Sequence, residues 1–255
     1  MKLATWNVNS LKVRLPQVID WLEANQPDML CLQETKLSDE NFPENEMAAI
    51  GYQSVFAGQK TYNGVAILSR TRAEDVSKGM PGFVDEQKRV IAATIHGVRI
   101  VCVYIPNGQS IASDKYQYKL RWLDALAGYM QKEVAEFADV ALLGDYNIAP
   151  EDRDVYDPQA WEGQVLCSVP ERAALRRLID LGLTDSFRLF PQPDKSFSWW
   201  DYRMNGFKRN LGLRIDHILL TSGVAARCES AAIDIEPRKW ERPSDHAPVV
   251  AVLRS

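Results

Sequence analysis

The sequence predicts an α/β fold in which helices and sheets form layers. Short apolar runs alternate with amphipathic helical patterns along all 255 residues. No linker, low-complexity tract or clear repeat interrupts them, and a hydrophobic content of 46% with 25% charged residues is typical of globular proteins. We therefore expect one domain over residues 1–255, with layered sheets around a substantial core.

Eight apolar runs predict the strands. Runs of about five to seven residues bounded by polar or turn-forming residues are typical of strands that are buried in a sheet. The runs lie at residues 2–6, 29–33, 64–69, 90–95, 99–104, 140–144, 214–220 and 248–253.

Three helices are predicted between these strands. The clearest spans residues 119–137, where apolar side chains recur at spacings of three and four. A second spans residues 16–24 and starts with a proline, which suits a first helical turn. A third begins at Ser168, with Glu171 as its partner in a capping box, and ends near residue 182.

Charge and targeting signals restrict the class of protein. The net charge of −4 argues against a general nucleic-acid coat protein, which normally carries a surplus of basic residues, and a DNA enzyme of this composition would have to concentrate its positive charge locally. The amino terminus lacks a basic segment followed by an apolar stretch, and no run of eighteen apolar residues occurs. We expect neither secretion nor membrane insertion.

The cysteines and histidines indicate a reducing compartment and argue against zinc. The four cysteines are far apart in sequence, and Cys31 and Cys102 lie in apolar runs, where a reduced thiol behaves as a small hydrophobic group. We expect a cytoplasmic protein. None of the three histidines has zinc-site spacing to a cysteine or to another histidine, so a catalytic metal should be hard and bound through oxygen.

Polar residues stand at the ends of several predicted strands. Asn7, Glu34, Tyr104 and Asp145 each close or follow an apolar run, and Asp216 lies within another. Open α/β sheets bind ligands at the carboxyl ends of their strands, so these side chains are expected to meet in one cleft. Phosphodiester hydrolysis needs an oriented water and neutralised phosphate charge, for which a carboxylate such as Glu34 can hold Mg²⁺. Taken alone, however, Glu34 fits a solvated carboxylate at a strand end better than a metal ligand.

Two short motifs supply candidate catalytic groups. Asp145 and Asn147 are two residues apart, so in an extended strand both would face one phosphate, with Asp145 as general base; the alternative for this string is a simple turn. His246 follows Asp245 between two prolines and is expected to contact phosphate, with Asp216 as its orienting partner. Taken alone, His246 also fits a structural role. Ser244 does not complete a serine triad, because neighbours in sequence point in different directions.

Seven ordered sequence blocks resemble the exonuclease III family across essentially the whole chain. Their order and spacing make the resemblance highly specific. The blocks are Thr5-Trp6-Asn7-Val8-Asn9, Leu32-Gln33-Glu34-Thr35-Lys36, Tyr62-Asn63-Gly64-Val65-Ala66, Tyr104-Ile105-Pro106-Asn107-Gly108, Gly144-Asp145-Tyr146-Asn147, Leu213-Arg214-Ile215-Asp216 and Pro243-Ser244-Asp245-His246-Ala247-Pro248.

The resemblance implies a four-layered α/β sandwich, with two mixed sheets packed face to face and helices outside them. It also implies abasic-site (AP) endonuclease, 3′–5′ exonuclease and 3′-phosphatase or phosphodiesterase activities on duplex DNA, with Mg²⁺, or Mn²⁺ in its place. Matched to the family's blocks, the catalytic positions are Asp145, Asn147, His246, Asp216 and Tyr104, and the metal-site positions are Glu34, Asn7 and Asp245. Asn9 stands where some members have Asp, which puts a direct metal role for it in doubt.

A segment rich in aromatic and basic residues is the expected DNA-binding region. Aromatic rings can receive an extruded sugar or stack on a base, and Arg and Lys bind phosphates. The family's sugar pocket corresponds to Trp199, Trp200 and Ile215, although a buried Trp pair beside a solvated basic loop fits the pattern equally. The remaining candidates are Asn107, Arg203, Lys208, Arg209 and Arg214, with Lys36, Lys60, Arg70, Lys115 and Lys239 as further phosphate contacts.

Two other functions remain open from the sequence. Related phosphoesterases act on inositol phosphates, sphingomyelin or undamaged DNA, and a non-catalytic DNA-binding module is the alternative from another class. The aromatic and basic segment favours DNA, and the complete set of catalytic residue types favours an enzyme. We expect the enzyme to act as a monomer.

Overall fold

The computed structural model describes residues 1–254, which form two large sheets with helices on their outer faces. The strands are β1 (Lys2–Asn7), β2 (Met29–Gln33), β3 (Gln53–Ala57), β4 (Val65–Ser69), β5 (Glu74–Lys78), β6 (Val90–Ile95), β7 (Val98–Tyr104), β8 (Val140–Asp145), β9 (Leu183–Asp185), β10 (Trp199–Trp200), β11 (Gly212–Leu213), β12 (Asp216–Thr221), β13 (Cys228–Ile233) and β14 (Val249–Leu253). The helices are α1 (Leu11–Asn25), α2 (Glu44–Ala49), α3 (Asp114–Glu136), α4 (Pro158–Trp161), α5 (Val169–Ile179) and α6 (Ser222–Ala225).

Each large sheet contains six strands of mixed direction. The first has the order β13-β14-β1-β2-β4-β3 and the second the order β5-β6-β7-β8-β12-β9. The pairs β1–β2 and β7–β8 are parallel, and the other neighbouring pairs are antiparallel. The strands β10 and β11 form a separate two-stranded ribbon.

The sheets pack face to face because their strands are apolar on both sides. In β1, Leu3 belongs to the core between the sheets, whereas Ala4 and Trp6 face α1 on the outside. Helices α3 and α5 cover the outer face of the second sheet, where Trp122 and Leu175 are buried. Burial on both faces explains the continuous apolar runs in the sequence. The predicted four-layered sandwich is confirmed.

Two predicted helix starts were wrong, and one was right. Helix α1 begins at Leu11, so Pro16 lies inside it rather than in its first turn. Helix α3 begins at Asp114, where the Ser113 side chain accepts a hydrogen bond from a backbone N–H of the first turn. The capping box at the start of α5 is present as predicted. Among the described residues, no helix combines the length and apolar character that crossing a membrane requires.

The topology brings the polar strand ends to one edge of the sandwich. Asn7 ends β1, and Glu34 follows the neighbouring parallel strand β2. Tyr104 and Asp145 end the parallel strands β7 and β8 and are paired in register. Strand β12 runs antiparallel to β8, so Asp216, its first residue, lies directly opposite Asp145.

Candidate active site

Asn7 joins two carboxylates at the centre of this edge. Its side chain is fully buried, and Nδ2 donates to Glu34 Oε1 at 3.0 Å and to Asp145 Oδ2 at 2.9 Å. The amide oxygen accepts the backbone N–H of Asn9 at 2.9 Å. Asn7 therefore holds two carboxylates from different sheets close together. Without this shared donor, the two negative charges would repel each other.

Asp145 and Asn147 converge, but not through the extended geometry that the sequence predicted. Asn147 has a φ of 50°, and its backbone N–H donates to Asp145 Oδ1 at 2.9 Å. This is the tight local turn that the sequence offered as the alternative. The Asn147 amide nonetheless reaches Asp145 Oδ2 at 3.3 Å, so both side chains lie at one point.

Burial raises the pKa of the Asp145 carboxyl above the ordinary range for aspartate, against the lowering effect of the nearby His246 cation. A carboxylate with a raised pKa accepts a proton near neutral pH, as a general base requires.

Asp216 and His246 form the expected pair. The carboxylate oxygens of Asp216 lie 2.9 and 3.1 Å from His246 Nδ1, and both side chains are buried. Burial alone lowers the pKa of His246, but the charges of Asp216 and Asp145 outweigh burial and raise it to about 10. At neutral pH the ring is therefore cationic, with Nε2 directed towards Asp145 Oδ2 at 3.7 Å.

Ser198 fixes Asp216 from the other side. Its hydroxyl donates to Asp216 Oδ2 at 2.6 Å and accepts the backbone N–H groups of Ile215 and Asp216 at 3.0 Å. No local sequence motif indicates this role of Ser198.

Tyr104 lies beside Glu34 and keeps its phenolic proton. Burial is the main cause that raises the pKa of Tyr104 well above its usual value, and the charge of Glu34 adds to it. Arg89, which the sequence analysis did not single out, stacks its guanidinium 4.6 Å from the centre of the ring and donates to the Tyr104 carbonyl oxygen at 3.1 Å. The phenol is therefore a hydrogen-bond donor of fixed orientation.

Oxygen atoms that suit a hard cation gather next to Glu34. Lys36 Nζ lies 3.0 Å from Glu34 Oε2 and 2.5 Å from Asn9 Oδ1, and Asn9 Nδ2 donates to Asp245 Oδ1 at 3.0 Å. The other oxygen of Asp245 accepts from the Trp199 indole N–H at 2.9 Å. The Lys36 ammonium group thus already lies between the oxygen atoms of Glu34 and Asn9. This group of oxygen atoms therefore suits a divalent ion bound through oxygen.

Asp145, Asp216 and His246 are a second group that could hold a metal, since their ligand atoms lie within 4.8 Å of one another. Two of these residues, Asp216 and His246, already hydrogen-bond to each other. Imidazole is also a weaker partner than carboxylate for hard cations. The Glu34 cluster is therefore the better site for such an ion.

A pocket of about 630 Å³ opens beside these polar groups. Glu34, Tyr104, Asp145, Asn147 and His246 form its polar side. Its apolar wall includes Trp161, Val165, Leu166, Trp199, Leu211 and Ile215. The structure therefore brings the predicted Trp199 and Ile215 to the pocket. It adds Leu166, which belongs to none of the seven family blocks.

Two predicted DNA contacts are wrong. Arg214 is 1% exposed and forms ion pairs with Asp154 at 2.7 Å and Asp185 at 2.8 Å, so its charge is neutralised inside the protein. Trp200 is 2% exposed and packs edge-on against the ring of Phe207, away from the pocket lining. In both cases a residue type common at DNA interfaces is used for packing.

The other predicted contacts are accessible. Arg203 lies on the pocket rim with its side chain 85% exposed, although it pairs with Asp201. Lys208 and Arg209 are exposed on the same loop. Asn107 lines the pocket and donates to Asn147 Oδ1 at 3.1 Å.

The scattered lysines and arginines lie in different settings. Lys36 belongs to the site itself, Lys115 lines the cleft next to Tyr104, and Lys60 shares a further cleft with Lys36. Arg70 is exposed, and Lys239 pairs with Glu236.

Arg238 is a further residue without a sequence signal. It is 6% exposed, and its guanidinium lies over the rings of Trp200, Tyr202 and Phe207 at 5.0 to 5.7 Å. It also donates to the carbonyl oxygen of Ser244, directly before Asp245. Arg238 thereby joins the loop that carries Asp245 and His246 to the loop that carries Trp200, Tyr202 and Phe207.

A buried acid, an oriented cationic imidazole and an adjoining apolar pocket are a combination that suits hydrolysis of a phosphate ester. Comparison with known proteins agrees. The family described as Endonuclease/Exonuclease/phosphatase matches residues 4–246. Exodeoxyribonuclease III of Haemophilus influenzae is 38% identical over 267 residues, with both chains covered completely.

Two solved structures are also similar over the full length of both chains. The 3′ phosphatase NExo from Neisseria, bound to a product DNA hairpin, has a TM-score of 0.98 and 48% identity. An AP endonuclease from Archaeoglobus fulgidus has a TM-score of 0.96 and 43% identity. The chain therefore belongs to the Endonuclease/Exonuclease/phosphatase family, and it is a nuclease of the exodeoxyribonuclease III type.

Proposed function

We propose that this protein is a Mg²⁺-dependent DNA-repair nuclease that hydrolyses phosphate esters at abasic sites and 3′ ends of duplex DNA. The observation that carries the proposal is the convergence of Glu34, Asp145, Asn147, Asp216 and His246 on one edge of the sandwich. Its activities are those of an AP endonuclease, a 3′–5′ exonuclease and a 3′-phosphatase or phosphodiesterase.

Asp145 acts as the general base in this proposal. Its raised pKa and its position beside Asn147 support the role, since both side chains meet at one point where an attacking water could contact them. Asp145 takes a proton from the water as the new P–O bond forms, and the ester P–O bond breaks with its electron pair leaving on the departing oxygen. Asn147 Nδ2, which donates to the Ile105 carbonyl oxygen and to Asp145 Oδ2, would exchange its bond to Asp145 for one to the same phosphate.

His246 stabilises the phosphate charge that develops during this attack. Asp216 holds Nδ1, so the cationic ring presents Nε2 to the reacting phosphate. Tyr104 donates from its protonated phenol to a phosphate oxygen or to the leaving group.

Glu34 is the proposed ligand of the metal ion, with Asn7 and Asp245 as its neighbours. The oxygen-rich cluster around Lys36 supports this position. When bound there, Mg²⁺, or Mn²⁺ in its place, supplies positive charge that offsets the charge of the phosphate oxygens. Asn7 keeps Glu34 and Asp145 at a fixed separation.

Duplex DNA is the proposed partner, and the apolar pocket is the proposed place for an extruded sugar. Trp199 and Ile215 form its wall, and Arg203, Lys208 and Arg209 supply phosphate contacts from one loop. The positive charge that would bind DNA is thus concentrated on one loop, as the acidic composition of the chain requires. We further propose that residues 1–255 form a single catalytic domain that works as a monomer in the reducing cytoplasm.

One assay tests the function. Purified protein and an Asp145→Asn variant are incubated with an abasic duplex, a recessed 3′ end, a 3′-phosphate end and an inositol phosphate, each with Mg²⁺ or with EDTA. We expect cleavage of the three DNAs with Mg²⁺ only, and a loss of at least about 100-fold in the variant because the base is absent.

Asp124→Asn serves as the matched control for this assay. Asp124 is an exposed carboxylate on α3 that pairs with Arg177, so the control makes the same chemical change outside the site. Turnover of the inositol phosphate alone, or full DNA cleavage by Asp145→Asn, would refute the proposal.

A further inference from the structure

A fully buried ion pair lies beneath the loops of the site. Lys119 on α3 and Glu171 on α5 are both 0% exposed, and Nζ lies 2.5 Å from Oε1. Neither residue touches the pocket. Because apolar residues of similar volume often replace a buried ion pair without loss of stability, packing alone does not account for these charges.

The ammonium group of Lys119 binds the backbone of two loops. Besides Glu171 it donates to the carbonyl oxygen of Asn107 at 3.1 Å and to that of Asn147 at 2.7 Å. These bonds use all three of its hydrogens. The side chains of Asn107 and Asn147 bond to each other on the pocket side. One cation thus holds the backbone of both asparagines that line the pocket.

Glu171 extends the connection to the pocket wall. Oε1 also accepts the backbone N–H of Leu166 at 3.0 Å, and Oε2 accepts the N–H and hydroxyl of Ser168 at 3.1 and 2.5 Å. The carboxylate therefore has four donors, and one of them is the backbone N–H of Leu166, a residue of the apolar wall.

The loops held in this way have unusual backbone conformations. Asn147 has a φ of 50° and Leu166 a φ of 76°, in the left-handed region that few residues other than glycine adopt. Such conformations persist only where the surroundings determine them strongly. The Lys119–Glu171 pair contacts the backbone of both residues and supplies that constraint.

We propose that Lys119 and Glu171 are positioning residues that set Asn147 against the scissile phosphate and fix Leu166 in the pocket wall. This inference rests on the proposed function. It predicts that loss of the pair lowers turnover while substrate affinity is largely retained, because the exposed basic residues that we propose as phosphate contacts, Arg203, Lys208 and Arg209, lie on another loop.

The test compares Lys119→Met and Lys119→Met/Glu171→Gln with wild type. The single variant leaves a buried carboxylate without its cation, so we expect it to be unstable. The double variant has no unpaired charge and carries the test if the single variant does not fold. In the double variant we expect kcat on a 3′-phosphate duplex to fall at least about tenfold, with KM within about threefold, because small misplacements of catalytic groups cost rate.

The same helix offers a matched control. Glu133, near the other end of α3, pairs with Arg99 at 2.6 Å, and Arg99 also bonds to the Asp75 carbonyl oxygen and to Ser77. None of these four residues lines the pocket. Arg99→Met/Glu133→Gln therefore removes a comparable buried pair, and we expect kcat to stay within about twofold of wild type.

A second readout does not depend on activity. The side-chain amide signals of Asn107 and Asn147 in ¹⁵N NMR spectra should shift in Lys119→Met/Glu171→Gln and stay unchanged in the control. Wild-type kcat in that variant together with unchanged amide signals would overturn the inference. Absence of DNA cleavage by wild type would instead refute the proposed function, and the amide signals would still decide whether the pair positions the two asparagines.

Discussion

The Arg214→Met substitution tests whether Arg214 stabilises the fold or binds DNA. The guanidinium is the shared partner of Asp154 and Asp185, and it also contacts the ring of the buried His217. Methionine has a similar length but no charge, so the substitution leaves two carboxylates without this partner. Burial would raise the pKa of Asp185, and Arg214 at present outweighs that effect and keeps the pKa below its usual value.

The expected cost follows from what remains after the substitution. Removing one partner of a buried pair costs about 3–5 kcal/mol. Asp154 retains a second cation, Arg188, and Asp185 still accepts the backbone N–H of Phe187. The free energy of unfolding should therefore fall by about 3 kcal/mol, at the lower end of that range. For a chain of this size, the loss lowers Tm by roughly 10 °C.

Urea unfolding and DNA binding at several salt concentrations measure the two roles separately. Lys208→Met is the comparison, because Lys208 is exposed on the loop that we propose as the DNA contact. We expect it to leave stability within about 0.5 kcal/mol and to reduce the slope of log affinity against log salt by about 1. Arg214→Met should show the opposite pattern, with lower stability and an unchanged slope. A slope reduced by Arg214→Met at full stability would contradict the assignment of Arg214 to the interior.

Three further predictions concern buried positions. Burial, together with the charge of Arg214, lowers the pKa of His217 to about 4. Below about pH 6.5 the His217 side chain is therefore protonated in the unfolded chain but stays neutral in the folded protein. Wild type should therefore lose up to about 3 kcal/mol relative to His217→Gln as the pH falls from 6.5 to 4, measured by urea unfolding. Gly144→Ala should abolish soluble expression, since its Cβ would lie 1.9 Å from the Val103 carbonyl oxygen, whereas Gly128→Ala in α3 has open space and should raise the unfolding free energy by up to about 1 kcal/mol. Trp200→Ala should cost about 3–5 kcal/mol in urea unfolding, because Trp200 fills a closed site.

The central strands were predictable and the edge strands were not. All eight predicted runs correspond to strands, to within two residues at each end. The longer strands that were missed, β3, β5, β9 and β13, are the four edges of the two sheets. Edge strands are covered on fewer sides and tolerate polar residues, as in the exposed Glu74 and Asp75 of β5. Their sequences therefore lack the apolar run on which the prediction depended.

The site was predictable where its residues follow strands. Glu34, Asp145 and Asp216 could be assigned to one cleft because strand ends meet at an edge of a sheet. Ser198 and Lys119 could not, because each acts through a hydrogen-bond network formed by segments distant in sequence. Arg214 shows the opposite error. Its neighbours in sequence are a strand and a basic loop, and no local pattern reveals the two buried aspartates that neutralise it.

The acidic composition of a DNA enzyme has a physical explanation in how its cations are used. Several cations near the site are bound to the protein's own oxygen atoms, as Lys36, Lys119 and Arg238 illustrate. They fix the loops, and few charges remain for the DNA backbone. At the reacting edge the carboxylates of Glu34, Asp145, Asp216 and Asp245 outnumber the cationic His246 and Lys36. A phosphate approaching this edge meets net negative charge, and the metal ion that we propose beside Glu34 would offset that charge as well as assist catalysis.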